Sequence, residues 1–281
     1  MKTSRSFLAA SLSVLLSTSV FATVSNDETL LANQHQSLNE ATLGKGFGPQ
    51  SPRDIDQLSG TNPQRFQYAP AAPQMNLCNI HFHKNAEHKG GEFTRYAGIG
   101  DGQGHQSGYL YTGQLTDAER TAYHQPVCAS EHQSVQVGDT LELHYVYSTA
   151  SVAPGPTLGA CLSDATVNPQ LRVEAQVLVA VNDDSAADFT RLTAVGQRKG
   201  RYQAIHLPED SGQAVSYLGS TTGPAYNEKG SPYQVTWRVR PKVKKVNIAS
   251  IQRWCQANVF EEHHAHGVRN LVVQPALLSE Q

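Results

Sequence analysis

Two short segments with alternating side chains constrain this chain more than any other feature of its sequence. Residues 79–83 read Asn-Ile-His-Phe-His, and residues 142–144 read Glu-Leu-His. Because successive side chains of a β-strand point to opposite faces, each segment should place its histidines on one face and its apolar residues on the other. If the two strands are antiparallel neighbours, the imidazoles of His81, His83 and His144 converge on one point.

Three convergent imidazoles are a donor set for a divalent metal ion. Three neutral histidines with a fourth, open position are typical of a catalytic zinc site. Asn79 lies two residues before His81 and is expected to bind its far ring nitrogen. Glu142 stands in the same relation to His144. We therefore predict one Zn2+ per chain, with His81, His83 and His144 as its ligands.

The start of the chain has the features of a secretory signal. Lys2 and Arg5 precede the apolar stretch 7–16, and residues 20–22 (Val-Phe-Ala) resemble a cleavage site. We expect cleavage after Ala22, export to the periplasm or the medium, and no membrane association afterwards.

Four cysteines follow this segment. In an oxidising compartment cysteines pair by default, so two disulfides are expected, with all three pairings open. The cysteines are Cys78, Cys128, Cys161 and Cys255. A formal net charge of −2, from 22 basic and 24 acidic residues, argues against a nucleic-acid surface.

The rest of the chain is predicted to form one mainly β (α+β) domain. We interpret residues 1–22 as the signal peptide, 23–75 as an irregular arm rich in Asn, Gln, Ser and Pro, and 76–281 as the folded domain. Apolar runs bounded by turn residues predict the strands. These strands are 76–83, 171–182, 201–207, 235–239 and 270–273. A further strand is predicted within 135–147, after the turn at Gly138 and Asp139. Helices are predicted over 116–123, capped by Thr116, and over 250–258, capped by Ser250.

Several motifs in combination resemble a known family. Residues 130–132 (Ser-Glu-His) and 142–144 (Glu-Leu-His) resemble two elements of α-class carbonic anhydrases, and His81 and His83 resemble the first two zinc ligands of that class. Residues 217–224 (Tyr-Leu-Gly-Ser-Thr-Thr-Gly-Pro) resemble the Thr-Thr-Pro loop that closes the active site in the α class.

Two further stretches extend the resemblance. Residues 235–237 (Val-Thr-Trp) resemble a strand beside the active site of the α class. Residues 78–93 are similar to the δ-class, carbonic-anhydrase-like family. The likeness covers roughly residues 76–275.

The resemblance implies a fold and an activity. The fold would be α-carbonic-anhydrase-like, a single domain with a large central, mostly antiparallel twisted sheet and a few short helices. The activity would be zinc-dependent, reversible hydration of CO2 to bicarbonate and a proton, through zinc-bound hydroxide. The alternative is a non-catalytic periplasmic metal-binding protein on the same fold.

The resemblance also implies roles for individual residues. Thr222, or Thr221 if the alignment carries one gap, would accept the proton of the attacking hydroxide and donate its own to a buried carboxylate, Glu131. Val146 and Trp237 would line the CO2 pocket.

Proton transfer to solvent calls for a histidine with a pKa of about 6.5. His88 and His105 are the candidates, and His132 is interpreted as structural. Glu87 is interpreted as a surface or structural carboxylate. The histidine-rich segment 261–266 could bind a transition metal, but a solvated loop is favoured.

Overall fold

A six-stranded twisted sheet forms the centre of the fold in a computed structural model of the chain. The structure describes residues 29, 33, 36, 40, 54–58, 67–166, 168–220 and 233–268. The signal segment 1–22, both threonines of the predicted relay (Thr221 and Thr222) and the predicted strand 270–273 lie outside the described residues.

Ten strands and a few short helices make up the described part of the chain. The strands are β1 (Asn76–Lys84), β2 (Arg95–Tyr96), β3 (Tyr109–Leu110), β4 (Thr140–Ser148), β5 (Leu171–Val181), β6 (Val195–Arg198), β7 (Arg201–Ala204), β8 (Val215–Gly219), β9 (Val235–Val239) and β10 (Lys244–Asn247). The α-helices are Phe189–Leu192 and Ile248–Gln256, and 3-10 turns span Ala72–Gln74 and Leu158–Cys161. The predicted mainly β class is confirmed.

The central sheet is mixed. Its strands lie in the order β1-β4-β5-β9-β8, and β10 also pairs with β5. The pairs β1–β4, β4–β5 and β8–β9 are antiparallel, whereas β9 and β10 run parallel to β5 along successive parts of one edge. Two small hairpins, β2–β3 and β6–β7, complete the described strands.

The register of β1 against β4 brings the two histidine segments together. His81 lies directly opposite His144, and His83 lies opposite Glu142. A bulge between Leu77 and Asn79 shifts the register just before the site. The predicted antiparallel pairing is thus confirmed, and the histidines share one face.

The opposite face of the same strands is apolar and holds the register. Ile80 and Phe82 of β1 are fully buried, and Phe82 packs edge-on against Phe189 and Trp254 of the two helices. Burying each side chain of this size contributes about 1.5–3 kcal/mol. A one-residue slip would move the histidines onto this face and expose the apolar row, so the core itself fixes which way the histidines point.

Two helix predictions need correction. The helix Ile248–Gln256 begins two residues earlier than expected, because the side chain of Asn247, not Ser250, caps it and accepts from the Ser250 N–H. The segment from Thr116 forms only a short turn with two backbone bonds, from the Arg120 N–H to the Thr116 carbonyl and from the Thr121 N–H to the Ala118 carbonyl. The carbonyl of Glu119 accepts from the N–H of Asn182, just after β5.

All four cysteines form disulfides, as predicted, and the structure settles the pairing. Cys78 of β1 joins Cys161, and Cys128 joins Cys255 of the long helix. The bonds close loops of 83 and 127 residues. Each therefore restricts a large part of the unfolded chain.

Removing the longer cross-link should destabilise the protein strongly. We expect the Cys128→Ser/Cys255→Ser double variant to lose about 2–5 kcal/mol of unfolding free energy, because loop-closure entropy is returned to the unfolded chain. Urea titration of the double variant beside wild type measures this loss, and thiol titration of denatured wild type should find no free thiol. An unchanged transition midpoint would show that the cross-link adds nothing to stability.

None of the helices in the described ranges has the length and apolar character needed to cross a bilayer.

Candidate metal centre

Three imidazoles meet on one face of the sheet where β1 pairs with β4. The ring centroids lie 5.1 Å apart for His81 and His144, 4.9 Å for His83 and His144, and 5.3 Å for His81 and His83. One ring nitrogen from each lies within 4.8 Å of the others. Nε2 of His81 and Nδ1 of His144 are 3.3 Å apart. That is close to the edge of a tetrahedron with metal–nitrogen bonds of about 2.0–2.1 Å.

The predicted partners hold two of these rings. Nδ1 of His81 lies 2.7 Å from the side-chain oxygen of Asn79, whose amide nitrogen in turn donates to the Gly155 carbonyl. Nε2 of His144 lies 2.9 Å from the carboxylate of Glu142. These bonds fix the tautomers and leave Nε2 of His81 and Nδ1 of His144 with lone pairs facing the common point.

The third ring is held by a group that the sequence analysis did not find. Nδ1 of His83 lies 3.0 Å from the carbonyl of Gly267, 184 residues away in the chain, which leaves Nε2 free to bind a metal. Burial lowers the pKa of His83 to about 4, although the nearby carboxylate of Glu87 works in the opposite direction. His83 is therefore neutral at physiological pH, the form in which imidazole binds a metal.

Glu142 also anchors a buried network behind the site. Its carboxylate accepts from Nδ1 of His88 at 2.6 Å and from the backbone N–H groups of Glu87 and His88, besides the bond to His144. Burial would raise the pKa of Glu142, but the charge of His88 and the hydrogen bonds from both imidazoles hold it well below its usual range. Glu142 is therefore an anionic partner that makes His144 a more basic ligand.

His88 does not suit the predicted role of proton shuttle. Its side chain is fully buried, and its two ring nitrogens bond to Glu142 and to the hydroxyl of Tyr217. A group that carries protons to solvent must reach solvent. His88 instead orients Glu142.

Removing the charge of Glu142 should weaken metal binding. We expect Glu142→Gln to reduce zinc affinity by about 10–100-fold, because the far nitrogen of His144 loses its anionic partner. Competition with a chromophoric chelator measures this. Glu174→Gln is the matched control, since Glu174 is equally buried but lies on the other face of the same sheet. Unchanged affinity in Glu142→Gln would show that the carboxylate has another role.

Comparison with known proteins identifies the family. The family model described as delta carbonic anhydrase matches residues 72–250, which is more than half of the chain. The chain belongs to the delta carbonic anhydrase family.

Several solved carbonic anhydrases are similar to this delta carbonic anhydrase family member at low identity. The halotolerant enzyme from Dunaliella salina is 19% identical over 51% of each chain, with a TM-score of 0.29, so the chain spans about half of its length. The α-carbonic anhydrase from Photobacterium profundum is 15% identical over 82% of this chain and 88% of its own, with a TM-score of 0.27. The α-carbonic anhydrase from Aspergillus oryzae is 10% identical over 82% and 84%, with a TM-score of 0.28. No protein with a curated description matches significantly.

The structure contradicts the burial expected for one carboxylate of this family member. The side chain of Glu131 is 86% exposed, and its carboxylate lies 3.3 Å from Nε2 of His132. Ser130 and Gln133 close a tight turn that directs Glu131 outward. Glu87, which the sequence analysis treated as a surface or structural residue, is 4% exposed and lies 3.7 Å from Nδ1 of His83. Glu87 is therefore a second buried carboxylate beside the candidate ligands, besides Glu142.

Apolar side chains border the ligands on the same face. Val146 follows His144 by two residues on β4, and Trp237 of β9 lies with its ring centroid 5.1 Å from that of His144. Both are buried. Both residues thus lie beside His144, where residues that line a pocket at the ligands would have to be.

The histidine-rich segment is only partly the solvated loop that we expected, since Glu261, His263 and His264 are exposed whereas its last residue joins the sheet. His266 forms a parallel bridge with His83 of β1, and its backbone bonds to Phe82 and Lys84. The ring of His266 lies 5.5 Å from that of His81 and bonds to Glu262. The segment therefore extends the edge of the sheet beside the candidate metal centre.

Proposed function

We propose that this protein is a zinc-dependent carbonic anhydrase, which reversibly hydrates CO2 to bicarbonate and a proton. The observation that carries the proposal is a set of three imidazoles whose outer nitrogens are all occupied and whose inner nitrogens converge. Membership of the delta carbonic anhydrase family supports the same reaction.

The donor set fits zinc. Three neutral imidazoles with an open fourth position are typical of catalytic zinc, and their nitrogen donors suit this ion better than Mg2+ or Ca2+. When bound, zinc supplies a Lewis acid that lowers the pKa of a coordinated water to about 7. His81, His83 and His144 would hold it, and Asn79 and Glu142 would keep two of these rings in the binding tautomer.

A threonine and Glu87 would orient the attacking oxygen. A threonine hydroxyl can accept one hydrogen bond while donating another. We assign the acceptor role toward the attacking oxygen to Thr222, or to Thr221 if the alignment carries a gap. The threonine hydroxyl would donate its own hydrogen bond to the carboxylate of Glu87, because Glu87 is buried beside His83 whereas Glu131 faces solvent.

Val146 and Trp237 would hold CO2 beside the ligands. Both present apolar, buried surface on the face of His144, which suits an uncharged substrate that has to be bound weakly. The product is an anion and gains nothing from an apolar wall, so bicarbonate should leave readily.

Metal removal and reloading test the activity. Protein stripped with a chelator should hydrate CO2 no faster than buffer in a stopped-flow assay, and one equivalent of Zn2+ in the central site should restore the reaction. If reloaded protein with a filled central site shows no hydration above buffer, the protein is a non-catalytic metal-binding member of the family.

We infer that the mature protein is exported to the periplasm or the medium. Two disulfides fit an oxidising compartment, and residues 1–22 have the form of a signal peptide. Mass spectrometry of the periplasmic fraction should find an N-terminus at Thr23. Recovery of the full-length chain from the cytoplasm would contradict this placement.

A further inference from the structure

A second group of metal-binding side chains lies apart from the central imidazoles. Asp101, His105 and His132 each offer one ligand atom, and these atoms lie within 4.8 Å of one another. Asp101 and His105 belong to the loop between β2 and β3, and His132 belongs to the turn at 130–133. Neither segment contributes a residue to the central group.

The backbone presents Asp101 and His105 side by side. The N–H of Asp101 donates to the carbonyl of His105 at 3.1 Å, and the Asp101 carboxylate accepts from the N–H groups of Gln103 and His105. Only one carboxylate oxygen takes part in these bonds. Gly100 has a φ of 63°, and a Cβ there would lie 1.8 Å from the His105 carbonyl, so the loop holds this shape only with glycine at that position.

His105 has an unused nitrogen at this point. Its Nδ1 is shielded from solvent and has no hydrogen-bond partner among the described residues. Its ring stacks on His132 with a centroid distance of 4.1 Å and an angle of 12° between the planes. In a neutral imidazole one of the two ring nitrogens carries a lone pair, and this is the form in which histidine binds a metal. Buried polar atoms are normally paired, so an unpaired one with a lone pair is a ready ligand.

The surroundings favour a cation. Glu131 places a second carboxylate 3.3 Å from Nε2 of His132. His264, beside the edge of β1, is close enough to His132 for their charges to interact, which places a third imidazole nearby. The side chain of His132 is 49% exposed and Asp101 is exposed, so both can rotate toward an ion that enters from solvent.

We propose that Asp101, His105 and His132 form a second metal site, which binds a divalent transition ion such as Zn2+ or Cu2+ independently of the central histidines. Two imidazoles and one carboxylate form a donor set that binds these ions in preference to Mg2+ and Ca2+. A bound ion lies in the plane of each imidazole, so the half-exposed ring of His132 would have to turn out of its stack on His105. That turn would bring the three donors to the usual distances of about 2.0–2.2 Å.

Titration of tag-free, metal-stripped protein tests this second site. Calorimetry with Zn2+ should find two equivalents in wild type and one in His144→Ala, which disables the central group. The His144→Ala/His132→Ala variant should bind none, because the second group then loses a ligand. The matched control is His144→Ala/His206→Ala, since His206 is an exposed histidine outside both groups, and it should keep one equivalent.

Spectroscopy of the copper-loaded His144→Ala variant gives a second readout. Its Cu2+ electron paramagnetic resonance spectrum should show coupling to two nitrogens, and His105→Ala should reduce this to one. His144→Ala/Asp101→Asn, whose second substitution changes only an exposed side chain, should bind Zn2+ at least tenfold more weakly than His144→Ala. The proposal is overturned if His144→Ala binds no ion, or if removing His132 or Asp101 leaves its affinity unchanged. Either result leaves the central site and its activity untouched.

Discussion

Replacing Glu87 with glutamine is expected to abolish most CO2 hydration while leaving the metal in place. Glu87 is no ligand of the central group, so zinc content should stay at the wild-type level. A carboxylate can only accept, whereas the uncharged amide can also donate its NH2 to the threonine, so the direction of the threonine hydrogen bond and the orientation of the attacking oxygen are lost. Removal of one proton-managing group typically costs about 10²–10⁴-fold in rate. Stopped-flow hydration beside metal analysis of the same sample measures both effects.

Glu131→Gln is the matched control, because it makes the same chemical change at an exposed carboxylate. It should leave hydration unchanged. Loss of activity in Glu131→Gln with normal activity in Glu87→Gln would restore the assignment based on the motif at 130–132. Thr222→Ala should resemble Glu87→Gln, and the double variant should be little worse than either, since the two groups act as a unit. If only Thr221→Ala is impaired, the alignment carries a gap.

His144→Ala is expected to remove both the central zinc and the activity. Two imidazoles without the third cannot complete the ligand set of a catalytic site, and Glu142 loses one of its two imidazole partners. Hydration should fall to the rate of buffer. His124→Ala, at an exposed histidine, is the control and should retain zinc and rate. Full occupancy of the central site in His144→Ala would contradict the ligand assignment.

The site could be predicted where side-chain periodicity decides the geometry. The spacing of two residues between Asn79 and His81, and between Glu142 and His144, places each pair on one face of a strand. The apolar residues of the other face then exclude a one-residue slip of the register. The structure brings these four side chains into the expected contacts. No backbone detail beyond strand pairing was needed.

Residues outside the strands could not be placed in this way. The carbonyl that holds His83 belongs to Gly267, and a backbone carbonyl leaves no mark in the sequence. Glu87 and Glu131 both precede a histidine, so the choice between them depends on which loop turns inward. The signal that was available is the position of Glu87, four residues after His83 on a chain just leaving β1.

The pairing of the cysteines and the position of the histidine-rich segment could not be predicted for the same reason. Both depend on contacts between distant parts of the chain, such as the bridge between His83 and His266. The polar composition of residues 261–266 favoured a solvated loop. Its backbone is instead bound to the free edge of β1, which brings His266 next to the ligands.

An anomalous-difference map at the zinc edge, from crystals of the zinc-loaded protein, tests the ligand assignment most directly. The map should show a peak at about 2.0–2.1 Å from Nε2 of His81, Nε2 of His83 and Nδ1 of His144. Glu142 and His88 should remain hydrogen-bonded behind it. Contradiction would come from a map without a peak at these nitrogens, or with the ion bound instead between His88, Glu142 and His144, which also lie close enough to share one.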